Sequence, residues 1–159
     1  MKKNLWKTIA LSGLLVGSLD ISAALIQFYL KTGKDPLIVL KYITSAVAGK
    51  EAFSGGNSMA IVGLLLHFFF SFIWTILFFL IYPKLKLQSR NRILTGVLYG
   101  IFIWIIMTRV VVPMTMATTS AFNWKQAGIA ASILIAAIGL PLSFIAARYY
   151  RKHSLGYTK

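Results

Sequence analysis

The sequence predicts an all-α polytopic membrane protein: a bundle of four transmembrane helices with an amphipathic interfacial segment in the first loop. Three observations predict it. The chain has 159 residues, of which 58% are hydrophobic and only 13% charged, and its mean hydropathy is +0.76. A soluble domain is near half apolar and about a quarter charged. The apolar residues gather into four runs of membrane length, and Lys and Arg cluster at their ends, as expected for spanning helices. Length allows a single membrane domain, 1–159.

The first span covers 5–30. Its start also reads as a signal peptide: Lys2 and Lys3 make an n-region, Ile9 to Leu19 an h-region, and Ser22-Ala23-Ala24 a small-residue c-region. The apolar run continues through Leu25, Ile26, Phe28 and Leu30, which favours a retained span. In the first loop, Pro36 suits a helix start. Leu37, Leu40, Ile43 and Val47 then recur at helical spacing, so an amphipathic helix on the outer leaflet is expected, with a short re-entrant segment as the other reading. Gly49 should end that helix, and Asn57 or Ser58 should cap the next one. The second span covers 59–82, the third 93–113 and the fourth 127–150. Trp6, Tyr29, Tyr82, Trp124, Tyr149 and Tyr150 lie near span ends, where aromatic residues form interfacial belts.

Basic residues orient the chain. The N-terminus, second loop and C-terminus carry eleven Lys and Arg, among them Lys84, Lys86, Arg90 and Arg92 in the second loop, against five in the first and third loops. Both termini are therefore expected in the cytoplasm. The second-loop cluster should meet anionic lipid of the cytoplasmic face, each basic residue contributing about 1 kcal/mol. The net charge of +14 belongs to this pattern rather than to nucleic-acid binding.

Gly13 and Gly17 stand in Leu-Ser-Gly-Leu-Leu-Val-Gly, and Gly96 and Gly100 in Leu-Thr-Gly-Val-Leu-Tyr-Gly. The echo suggests a 2+2 internal repeat of two-helix units. Each motif is also a Gly-x-x-x-Gly, which lets helix backbones approach closely in lipid. Packing within the chain and dimerisation through the third span are both consistent with it, so the expected partners are the bilayer and a second copy.

Polar residues fall on stripes. Gly13, Gly17, Asp20, Ala24 and Gln27 share one face of the first span. Ala60, Gly63, His67, Ser71 and Trp74 share one of the second, and Gly128, Ser132, Gly139, Ser143 and Ala146 one of the fourth. Asp20, His67 and Arg109 each lie roughly 22–24 Å of helix rise from the cytoplasmic end, with Ser132 near the same level. An ionisable side chain at that depth is costly and is a functional candidate. An Asp20–Arg109 ion pair with His67 nearby is allowed. Arg109 alternatively snorkels outward, and His67 alternatively only packs. Asp20 is too short to snorkel.

Enzyme chemistry is not expected. The acids are Asp20, Asp35 and Glu51 and the histidines His67 and His153, too scattered for paired acid–base work. With no cysteine, disulfides, zinc–thiolate sites and thiol nucleophiles are excluded. No metalloprotease, nucleophile-elbow or dinucleotide fingerprint occurs, and no cofactor is indicated.

Gly96-x-x-x-Gly100-Ile-Phe-Ile-Trp-Ile followed by Val110-Val111-Val112-Pro113, with the Gly-x-x-x-Gly of the first span and His67 before Ser71-Phe72, resembles the YagU-like family of small bacterial inner-membrane proteins. The resemblance covers about two-thirds of the chain. It implies a bacterial inner-membrane location and a link to acid stress. The position before the Val-Pro motif tends to be acidic in that family and is Arg109 here. Two functions are therefore expected: proton or small-solute permeation, or a pH response, through the polar layer; or a membrane scaffold in which that layer only fixes packing.

Overall fold

The structure, a computed structural model, describes residues 2–117 and 123–154, with side chains from Asn4 to Arg151. Lys159 and the side chains of Lys2, Lys3, Lys152 and His153 lie outside the described residues. Everything described is helix or short connection, and four helices have the length and apolarity to cross a membrane. The chain is an integral, multi-pass membrane protein by this architecture. The first span is α1 (Lys2–Thr32) and the second is α3 (Gly56–Lys84). Between them lies α2 (Leu37–Ala48). The third span is α4 (Arg92–Ile106), extended by a π turn (Met107–Val111) and a 3-10 turn (Val112–Met114). The fourth span is α5 (Trp124–Leu134), a π turn (Ile135–Gly139) and α6 (Leu140–Ser154).

Both π turns end two residues before a proline, Pro113 and Pro141. Proline has no N–H for the carbonyl four residues back, so the α ladder must shift there.

The glycines set which helices touch. A Cβ on Gly13 or Gly17 would meet Phe72, Phe68 and Ser71 of α3. A Cβ on Gly96 or Gly100 would meet Gly139, Leu140 and Ile135 of the fourth span. Each Gly-x-x-x-Gly thus seats its own span against the next one, and the third-span pair is not free for a second copy. Side chains add to these contacts: Ser143 Oγ donates to Arg92 O at 2.7 Å across the third and fourth spans, and Tyr99 Oη donates to Trp74 O at 2.6 Å, joining the third span to the second.

The main core lies toward the end that carries both termini. There Trp74, Phe78, Phe79, Tyr82, Tyr99 and Leu142 are buried together. Tyr82 corrects the expectation of an interfacial belt. It is only 1% exposed, stacks on Tyr150 at 5.4 Å, and belongs to the bundle interior. Trp6, Tyr29 and Trp124 are exposed, as belt residues should be.

The first-loop helix forms where expected and stops at Gly49, whose φ of 56° suits glycine. It does not stand apart from the bundle. Its buried residues Leu40, Thr44 and Ser45 turn onto α3. Leu40 lies over Gly63, and the Thr44 hydroxyl donates to Met59 O, so α2 runs along the N-terminal half of α3 in the opposite chain sense. Met116 N donates to Ala46 O at 3.1 Å, which ties the exit of the third span to α2. The expected side-chain cap at Asn57 or Ser58 is absent: α3 begins at Gly56, after Gly55, without one. Ser58 Oγ instead donates to Gly55 O at 2.8 Å.

Candidate functional site: an ionisable pair on an apolar cavity

Asp20 projects from α1 and His67 from α3 at the level where Gly17 brings the two helices together. Without a side chain on Gly17, the imidazole reaches the backbone, and His67 Nε2 lies 2.9 Å from Gly17 O. A carbonyl only accepts, so Nε2 carries the hydrogen in this arrangement. The same Nε2 is 4.0 Å from Asp20 Oδ2. Gly17 and Asp20 are three residues apart on one helical face, so one imidazole nitrogen addresses both. The side chains are 11% (His67) and 15% (Asp20) exposed.

The Asp20 carboxylate accepts no hydrogen bond from any described residue. It opens instead on a cavity of about 450 Å³. α2 supplies one wall through Val39, Tyr42, Ile43, Ala46 and Val47. The third span supplies Met107, Val111, Val112 and Thr115, and α3 adds Leu66 and Phe70. Among the lining side chains, Asp20 and His67 are the ionisable pair, Tyr42 is the other titratable group, and none is Lys or Arg.

The polar layer is therefore narrower than the sequence suggests. Asp20 and His67 meet. Arg109 does not join them: it is exposed, and it does not line the cavity. It sits two residues from both Met107 and Val111, about half a turn away from the cavity face. Among the described residues the ion pair within 4.0 Å of Asp20 is His67, not Arg109. Ser132 is also apart. It is exposed, donates to Gly128 O at 2.8 Å, and lines a separate groove with Leu19 and Ala23. The π turn after Leu134 explains this. An extra residue in one turn rotates the following face by about 100°, so Gly139, Ser143 and Ala146 are buried while Gly128 and Ser132 are not.

Sequence reasoning missed the α2 wall. Its apolar face was legible in Leu37, Leu40, Ile43 and Val47, but nothing local distinguishes a face laid on lipid from one laid on a helix. The basic cluster Lys84, Lys86, Arg90 and Arg92 is exposed around the second-loop turn, as expected. Asn91 caps α4 there, its Oδ1 accepting from Ile93 N at 2.9 Å. Compared with known proteins, the chain matches no family model, no curated protein and no solved structure.

Proposed function

We propose that this chain is a non-enzymatic protein of the bacterial inner membrane, with both termini in the cytoplasm. Its Asp20–His67 pair either responds to pH or supports movement of protons or small solutes. The observation that carries this reading is the pair itself. Two ionisable side chains on adjacent spans lie 4.0 Å apart on the wall of a mostly apolar cavity. Such groups are costly inside a membrane and mark proton and solute paths.

The geometry supplies a two-position element. The Nε2–H bonded to Gly17 O needs to shift by only about 1 Å to bond the Asp20 carboxylate instead. A charged carboxylate beside a cationic imidazole favours the second position, and a protonated carboxyl removes that attraction. Gly17 is also the α1–α3 contact, so protonation is coupled to helix packing. Tyr42 on α2 is the other titratable group facing the pair. The third span and α5 present Met107, Val111, Val112, Thr115 and Ala130 to the cavity, none of them titratable.

The Lys and Arg distribution supports the orientation. The resemblance to the YagU-like family supports the inner membrane and an acid-stress role. Lys84, Lys86, Arg90 and Arg92 support contact with anionic lipid. Beside them a groove of about 590 Å³, lined by Arg90, Leu94, Leu98 and Phe102, suits an acyl chain.

The test uses the purified protein in vesicles with a trapped pH dye. A pH gradient should collapse faster than in empty vesicles, or the melting temperature should vary with pH, and Asp20→Asn should abolish the effect. If wild type behaves like empty vesicles and its pH–stability curve matches that of Asp20→Asn, the reading fails. One observation favours the scaffold alternative: the His67–Gly17 bond spans a helix contact. Under that reading the pair only fixes packing, so loss of either side chain lowers the melting temperature and Asp20→Asn leaves the pH gradient as it is in wild type.

A further inference from the structure

We infer that the cavity beside Asp20 is a binding site for a monovalent organic cation with an apolar body, an amine or a quaternary ammonium. The inference rests on the reading of Asp20 as a functional carboxylate and names the ligand class for that site.

Three features point to this chemistry. The first is charge. The protein has 17 Lys and Arg against 3 acids, yet among the described residues no Lys or Arg lines this cavity, and the one carboxylate there is Asp20. An anion would meet the like charge of Asp20 with no Lys or Arg to offset it, and a cation meets a counter-charge. The second is the unused hydrogen-bonding capacity of Asp20. An ionised carboxylate accepts several hydrogen bonds, and this one receives none from the described residues. A charged carboxylate in mostly apolar surroundings is costly, and a cation from outside the chain relieves that cost through its charge, an amine adding an N–H bond as well.

The third is the shape and character of the walls. A volume of about 450 Å³ lies within the usual range for small-molecule sites, which are mostly apolar with few polar groups that fix orientation. Tyr42 and Phe70 add aromatic faces to the lining, and aromatic faces attract cations. Val39, Ile43, Val111 and Val112 cover the apolar body. Val47 and Tyr42 are both well exposed on the outer side of α2, which places the entrance at the edge of α2 rather than through the main core. The imidazole of His67 is held off Asp20 by its bond to Gly17 O, so the carboxylate is left to the ligand.

The experiment measures binding of benzyltrimethylammonium to the whole protein in nanodiscs of zwitterionic lipid, with neopentylbenzene as the uncharged isostere. Wild type should bind the cation saturably and one per chain, and should bind the isostere far more weakly. Asp20→Asn should weaken cation binding by about tenfold or more. Ala46→Phe, which fills the cavity and keeps the carboxylate, should weaken both probes. Equal binding of the two probes overturns the inference and leaves a merely apolar void that lipid chains fill. No saturable binding, or cation binding unchanged in both variants, overturns it as well. The outcomes separate from those of the vesicle assay. Cation binding without any proton-linked signal removes the proton reading and keeps the site. A proton-linked signal without cation binding does the reverse.

Discussion

Gly63→Ala tests whether α2 is a built wall of the bundle. A Cβ at Gly63 would stand 2.0 Å from Leu40 O and 2.7 Å from Leu40 C, where real Cβ atoms keep at least 3.0 Å. The two nearest atoms are backbone, so no side-chain rotation relieves the clash. α2 must move off α3 by about 1 Å, and that shift stretches the bond from the Thr44 hydroxyl to Met59 O. Overpacking of this kind costs about 1–3 kcal/mol, and the strained hydrogen bond adds about 1 kcal/mol. The better helix propensity of alanine returns up to about 1 kcal/mol. The net is a destabilisation of about 2 kcal/mol, a fall in melting temperature of about 5 °C on the scale of soluble domains of this size. The chain has no native cysteine, so a single Ala46→Cys reporter on the cavity wall reads the displacement directly. In membranes its reaction with a maleimide should quicken when Gly63→Ala is added. An unchanged melting temperature together with unchanged labelling would refute the seating of α2 and the enclosure of the cavity by it.

Three further outcomes are expected. Gly139→Ala should destabilise the bundle by about 1–3 kcal/mol, because its Cβ would meet Gly96 O at 2.1 Å, while Gly128→Ala, with nothing within 4 Å, should be neutral or slightly stabilising; thermal melts of the two purified variants decide it. Asp20→Asn should melt no lower than wild type, since the carboxylate accepts no hydrogen bond from described residues, whereas His67→Ala should lose about 1 kcal/mol with the bond to Gly17 O; a collapse of Asp20→Asn would return Asp20 to a structural role. Single cysteines at Lys50 and Gln88 should label from opposite sides of the membrane, with Lys50 reached from outside intact cells; labelling of Gln88 from outside would reverse the proposed orientation.

The sequence by itself determined the four spans and the helical class. It also determined the two glycine pairs and the stripes that carry Asp20 and His67. These are local properties. Hydropathy over about 20 residues marks a span, and a regular 3.6-residue spacing fixes which side chains share a face as long as the helix stays regular. Tertiary structure decided the rest. A membrane helix is apolar toward lipid and toward its neighbours alike, so composition does not say which apolar face is inside. That is why Tyr82 read as a belt residue and is in the core, and why the α2 face read as lipid-facing and packs on α3. Regular spacing also fails across the π turns near Pro113 and Pro141. Only the fold shows that Ser132 has rotated away from Gly139, that Arg109 points off the cavity, and that the carboxylate of Asp20 has His67 as its ionisable neighbour.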